Sequence, residues 1–170
     1  MRKLLLLAAL IVGAVSLSFA QTSKPKDVGK FSIGVEAGLP VGDASDVYNF
    51  VIGASFKYEY PVAQSLYVTG SVGYNAFLTK SEFKDAGFKS SYGFIPLKAG
   101  LKYYIQDGFF AEGQLGVTFS TESGGGSAFA YAPGIGYSFD GGFEAGLRYE
   151  GWPKDGATTS QIGLRLAYRF

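Results

Sequence analysis

Charged residues of both signs recur at positions that alternate with apolar ones, and ion pairing is the chemistry that this spacing offers. They share their face of the pattern with glycine, alanine and serine, and they are Glu36, Lys57, Glu59, Lys98, Lys102, Glu112, Glu144, Arg148, Glu150, Arg165 and Arg169. Charged side chains at membrane depth must face an interior and pair there. A paired network would plug that interior; the alternative is a proton or ion path, although a selective pore is expected to carry rings of one sign.

Residue types for other chemistry are scarce in this chain. Histidine and cysteine are both absent from the sequence, which removes the commonest general base, the commonest metal ligand and any disulfide framework. The spacing of serine, aspartate and lysine residues supports no activated nucleophile. We therefore expect no catalytic residue, no metal and no cofactor. A net charge of +1 also gives no electrostatic field for nucleic acid.

The elements that must position these charges are strands, because apolar and polar residues alternate with a period of two from Lys30 onward. About eight such segments follow, each near the ten residues that a tilted membrane-spanning strand requires. The connections after the second, fourth and sixth segments are tight, and the others are longer, the last at residues 151–160. The pattern predicts an all-β, eight-stranded antiparallel up-and-down transmembrane β-barrel. Pro96 and Pro133 cannot donate to a ladder, so we expect a bulge or a strand end at each.

Two arguments predict that the apolar face points outward. The apolar face supplies several large residues per strand, which is too much volume for the interior of an eight-stranded barrel. Its aromatic residues also gather towards the two ends of the strands, with Tyr149 and Trp152 among those at the loop end, and aliphatic residues lie between. Such belts are typical of two membrane–water interfaces. The alternative is a secreted soluble ligand-binding barrel with the apolar face inside.

The first residues carry the order of a secretory signal. Met1, Arg2 and Lys3 form a basic start, an apolar run follows, and small residues end at Ala20. This order predicts a cleaved signal peptide over residues 1–20. A polar periplasmic lead-in is expected over residues 21–29, and the barrel over residues 30–170.

The last ten residues resemble the terminal strand of Gram-negative outer-membrane barrels, because apolar residues alternate there and an aromatic residue ends the chain: Leu164, Leu166, Tyr168 and Phe170. With the leader and the strand pattern, the chain resembles the small outer-membrane β-barrel domain family of the OmpA/OmpX type. The resemblance implies that the barrel-assembly machinery reads this C-terminal signal. It also implies an outer-membrane location with periplasmic termini, and a role in envelope integrity, adhesion or partner binding. The surface partner stays unknown.

The longest loop offers one possible contact with outer-membrane lipids. Lys80, Lys84 and Lys89 lie there beside two phenylalanines, so they are candidates for contact with lipopolysaccharide phosphates; a solvated loop is the alternative. A narrow channel or transporter for small molecules is the second functional class. A lipid-modifying enzyme is the third, and it is disfavoured because the barrel enzymes of this type use a catalytic histidine.

Overall fold

The computed structural model describes residues 29–85 and 87–170. The predicted signal peptide and almost all of the predicted lead-in lie outside the described residues, so both stay predictions. The strands are β1 (Lys30–Val41), β2 (Tyr48–Ala63), β3 (Leu66–Thr79), β4 (Ser91–Gln106), β5 (Phe109–Ser120), β6 (Ser127–Ser138), β7 (Phe143–Lys154) and β8 (Ala157–Arg169). Two short α-helices lie in the loops, α1 (Ala44–Val47) and α2 (Ser81–Asp85), and a 3-10 helix (Asp140–Gly142) connects β6 to β7.

The strands form a closed barrel in which each strand pairs with its sequence neighbours. All pairs are antiparallel, and β1 closes the sheet against β8 from Ser32↔Arg169 to Val41↔Ser160. Closure leaves no free edge, so every strand has a hydrogen-bonding partner on both sides. The predicted fold class is therefore confirmed. Among the described residues, none of the helices has the length and apolar character needed to cross a membrane.

The connections differ at the two ends of the barrel, with one departure from the predicted pattern. The turns that follow β2, β4 and β6 are short, and the loops that follow β1, β3 and β5 are longer. The predicted loop at residues 151–160 is wrong: β7 and β8 extend to a two-residue turn at Asp155 and Gly156. Both turn residues have positive φ, 51° and 86°, and this backbone favours an Asp-Gly pair in a tight hairpin.

The prolines do not interrupt their strands, so the expected bulge or strand end at each is wrong. Pro96 pairs with Thr118 of β5, and Pro133 pairs with Gly113 of β5. On the opposite side of each proline the ladder lacks two consecutive pairs, yet the register is the same before and after the gap. Each proline therefore costs a ladder bond on one side only.

The apolar face points outward around the barrel. Leu97, Leu115 and Leu147, near the middle of their strands, are 57%, 59% and 50% exposed, whereas the alternate residues of the same strands are buried or half-buried except at two strand ends. A continuous exposed apolar band of this kind marks a membrane-contacting surface. The secreted soluble alternative is therefore wrong. The small residues are inside, where Gly136 leaves room for the Phe110 ring: a Cβ there would lie 2.3 Å from Phe110 Cζ.

Candidate functional site in the barrel lumen

The half of the lumen nearer the short turns holds a group of five paired charges, the turn-side cluster: Lys57, Glu59, Lys102, Glu112 and Glu144. Lys57 Nζ lies 3.0 Å from Glu59, 3.2 Å from Glu112 and 3.0 Å from Glu144. Lys102 Nζ lies 2.9 Å from Glu59 and also pairs with Glu144. Shared partners on both lysines offset part of the large cost of removing such charges from water.

The half nearer the loops holds a second group, the loop-side cluster: Glu36, Lys98, Arg148 and Glu150. Glu150 accepts from Lys98 Nζ at 2.7 Å and from Arg148 Nε at 2.9 Å. The Arg148 guanidinium also binds Glu36 through two nitrogens, with Nη1 at 3.2 Å from the carboxylate. A two-point contact of this kind fixes the orientation of both groups.

Arg165 connects the two clusters. Its guanidinium lies 3.8 Å from Glu36 on the loop side and 3.5 Å from Glu144 on the turn side. The same group donates to Ser55 Oγ at 2.9 Å and Ser32 Oγ at 3.1 Å. The paired charges therefore form one network along the lumen, in which cations and carboxylates balance.

Aromatic rings cover the turn-side cluster at the turn end of the lumen. Lys102 Nζ lies 3.9 Å from the centroid of the Phe110 ring and 5.0 Å from that of Tyr104. Both rings therefore stabilise the ammonium group by cation–π interactions. Arg169 lies nearer the opening and donates to Tyr104 Oη at 2.6 Å and Ser138 Oγ at 3.3 Å. Its guanidinium makes no ion pair within the described part of the chain. This member of the predicted set is therefore connected to the network through hydrogen bonds alone, since Ser138 Oγ also donates to Glu144 at 3.1 Å.

A second aromatic group, the loop-side aromatic cluster, fills the lumen above the loop-side charges: Val51, Phe77, Phe94, Ala130 and Trp152. The Trp152 ring centroid is 5.2 Å from that of Phe77 and 5.1 Å from that of Phe94. Trp152 Nε1 donates to Glu150 Oε1 at 3.0 Å. The cluster therefore packs directly on the charged network.

The loop-side aromatic cluster was not predicted from the sequence. Trp152 was expected in the outer aromatic belt, and this expectation is wrong, because the side chain is 3% exposed and lies in the lumen. β7 continues to Lys154, and its alternation therefore places Trp152 on the same face as Arg148 and Glu150. Phe77 and Phe94 likewise lie an even number of residues from inward-facing residues of β3 and β4, and so on the same face. Extending the alternation to the ends of the strands would have found all three.

The space left in the charged part of the lumen is small. Two cavities of about 20 Å³ each border the network, one lined in part by Phe110 and Glu144 and the other by Glu36 and Lys98. Each has room for about one water molecule. Among the described residues, no group of acidic side chains is arranged to hold a metal ion.

The other predicted site residues lie on the outer surface. Leu164, Leu166, Tyr168 and Phe170 are exposed on or next to β8, and their reading by the assembly machinery stays a prediction. Lys84 and Lys89 are exposed in the loop after β3, and Lys80 is half-buried there. Lys89 pairs with Glu122 of the loop after β5. That hydrogen bond and the carboxylate charge raise the pKa of Lys89 above its ordinary value, so it is cationic at neutral pH.

An outward apolar band around a paired-charge lumen is the arrangement expected of a barrel in a lipid membrane. A family model described as "Outer membrane protein beta-barrel domain" matches residues 5–170. The chain belongs to this family. Membership confirms the resemblance inferred from the strand pattern and the last residues, and makes the protein an outer-membrane β-barrel.

Solved barrels of this kind share the fold at low sequence identity. Ail, the attachment invasion locus protein of Yersinia pestis, is 20% identical with a TM-score of 0.56, over 84% of this chain and 97% of Ail. The N-terminal barrel domain of OprF from Pseudomonas aeruginosa is 16% identical with a TM-score of 0.56, over 84% of this chain and 100% of that domain. The outer membrane enzyme PagL is 12% identical with a TM-score of 0.58, over 81% and 98%. A comparison with curated protein sequences gave no match.

Proposed function

We propose that this protein is a closed outer-membrane barrel with a structural or surface-interaction role, and that it acts through its loops rather than by passing solutes. The observation that supports this role is the filling of the lumen. Aromatic rings lie at both ends, and a balanced network of ion pairs lies between them. The predicted charged residues, apart from Arg169, would serve as the plug. Absence of conductance in planar bilayers is the expected result.

A narrow channel is the second candidate, and the lumen geometry argues against it. Cavities of about 20 Å³ each have room for about one water molecule, which is too little for a solute. Charges of opposite sign are also paired within the lumen, whereas an ion-selective pore is built from rings of one sign. We propose no catalytic role either, since PagL shares only the fold and this chain has no histidine.

We further propose that the loop ends face the cell exterior and the two termini face the periplasm. Longer connections gather at one end and short turns at the other, and in outer-membrane barrels the long loops are extracellular. The lysines of the loop after β3 would then lie near the outer leaflet. Ail was solved in complex with the heparin analogue sucrose octasulfate, which is a precedent for anion binding on this fold.

Replacing Lys80, Lys84 and Lys89 together with serine is expected to reduce the lipopolysaccharide that co-purifies with the protein. The physical reason is the loss of cations within reach of phosphate groups. Lipopolysaccharide is measured in detergent extracts against protein amount. Lys30→Ser, which removes an exposed lysine from the opposite end of the barrel, is the matched control. Equal lipopolysaccharide in both variants and the unaltered protein would show that these lysines do not bind it.

A further inference from the structure

An apolar groove of about 520 Å³, the loop-side groove, lies on the outer face of the barrel across β2 to β5. Its floor is formed by small residues, because Gly70 and Ala99 face outward side by side in the β3–β4 pair. An added Cβ at Gly70 would meet no atom within 4 Å. Larger apolar residues form the walls: Phe56, Val72, Leu97, Leu115, Val117 and Phe119.

The groove opens onto the membrane-contacting band, so the molecules that can fill it are hydrocarbon chains. A methylene group occupies about as much space as a water molecule, roughly 30 Å³, and the groove therefore has room for a chain of about a dozen methylene groups. A flat part of the band contacts a lipid chain on one side only. A groove surrounds the chain with carbon atoms on several sides, and the added dispersion contacts hold it there.

The height of the groove matches the outer leaflet. It runs from near the middle of the strands, at Phe56 and Ala99, to the loop end of β5, at Phe119. In the proposed orientation this half of the band faces the leaflet that contains lipopolysaccharide. The acyl chains of lipopolysaccharide are therefore the hydrocarbon that reaches the groove.

The loop after β3 lies above the groove, because it joins β3 to β4, and these two strands carry the groove floor. Its three lysines are the cations proposed above to contact lipopolysaccharide phosphates. Leu97 lies six residues along β4 from Ser91, where the loop ends, which is about 15 Å along the barrel axis for a tilted strand. A lipid with its phosphates at the lysines therefore has its acyl chains beside the groove.

We propose that the loop-side groove retains one acyl chain of a lipopolysaccharide molecule whose phosphates contact the lysines of the loop after β3. The inference deepens the proposed surface role, and it rests on the proposed outward direction of the loops and on the lysine contact. The lysines would supply the charge attraction, and the groove would position the lipid against one side of the barrel.

Filling the groove tests this inference. Ala99→Leu and Gly70→Leu each add an apolar side chain on the outer face, which leaves the barrel free to fold. The matched control is Ala54→Leu. Ala54 also faces outward, but it lines a second groove, of about 400 Å³, that extends to Phe143 and Tyr168 near the short turns. The altered gel migration of unboiled protein verifies that each variant is folded.

Refolded protein in detergent micelles is titrated with lipopolysaccharide, and native mass spectrometry measures the fraction of barrels that retain it. Each groove variant is expected to raise the Kd about threefold to tenfold, because roughly ten weak carbon–carbon contacts are lost. Ala54→Leu should leave the Kd unchanged. Deacylated lipopolysaccharide, which keeps its phosphates, should bind the groove variants and the unaltered protein equally.

The triple serine variant of the loop lysines separates the two parts of the account. It is expected to weaken the binding of both forms of lipopolysaccharide, since both carry the phosphates. If the lysine variant weakens binding while both groove variants bind as the unaltered protein does, the groove is overturned and the lysine contact stands. If only the groove variants weaken binding, the groove stands and the lysine contact is overturned.

Three further results would overturn the groove. Equal weakening by Ala54→Leu would show that added bulk anywhere on the outer face disturbs the lipid. Equal weakening of the deacylated form would show that the groove variants disturb the loop rather than a chain. Equal weakening of phosphatidylethanolamine binding would show an acyl-chain groove without preference for lipopolysaccharide and would overturn that assignment.

Discussion

Glu150→Gln is expected to lower the free energy of unfolding by about 3–5 kcal/mol, the range for removing one partner of a buried ion pair. Glu150 is 1% exposed and binds Lys98, Arg148 and Trp152. Lys98 is itself buried, and Glu150 is its carboxylate partner within hydrogen-bonding distance. The amide therefore leaves the Lys98 ammonium group in the lumen without its hydrogen-bonded counter-charge. The measurement is a urea titration of protein refolded in phospholipid vesicles.

The double variant Lys98→Met/Glu150→Gln separates loss of the pair from loss of packing. Removing both charges is expected to recover most of the lost stability, because replacing a buried pair by apolar groups is often close to neutral. Glu82→Gln, in the exposed helix α2, is the control and should change stability by less than about 0.5 kcal/mol. If Glu150→Gln were as mild as this control, the lumen would be hydrated rather than closed around its charges.

Leu147→Arg is expected to cost about 2–4 kcal/mol, the range for a cation placed on the lipid face near the bilayer midplane. Leu147 lies near the middle of β7, and its cross-strand neighbours on the outer face are Ile135 and Leu164. The three side chains are about half exposed in the isolated barrel and offer the new charge no partner. The same vesicle titration measures the change.

Gly146→Ala is the matched control on the adjacent inward position. A Cβ there would lie 3.7 Å from the carbonyl oxygen of Ile135 and 3.9 Å from Phe110 Cζ, which is ordinary contact. We expect a change of less than about 0.5 kcal/mol. Equal losses of unfolding free energy for the two variants, or a larger loss for Gly146→Ala, would mean that Leu147 is not on the lipid-facing side of β7.

The fold was largely predictable because a strand has a side-chain period of two, and this pattern therefore predicts both the strands and the residues that share a face. The alternation separates Leu97, Leu115 and Leu147 from Glu112 and Arg148, and the volume and aromatic-belt arguments put the leucines outside, as the structure has them. The uneven connections were predicted for the same reason, because turn residues interrupt the period. Alternation cannot predict the partner of each charge, because the stagger of the strands decides which residues lie at the same level along the barrel axis.

Three features were missed, and each has a physical cause. The pattern predicts a long loop around Asp155 and Gly156 because polar or small residues flank the hairpin at the exposed rim. Trp152 was assigned to the membrane interface by residue type, although its parity places it inside. The missing N–H predicts a bulge or a strand end at Pro96 and Pro133, but each loses pairing with one neighbouring strand while the other keeps the register.

Single-channel recording in planar lipid bilayers tests the closed lumen most directly. Insertion is verified beforehand by the altered gel migration of unboiled protein, and a boiled sample is the control. The account predicts no discrete conductance steps, because two aromatic groups and a balanced ion-pair network fill the lumen and leave single-water cavities. Reproducible steps in the inserted protein, absent from the boiled control, would contradict it and would favour the narrow channel.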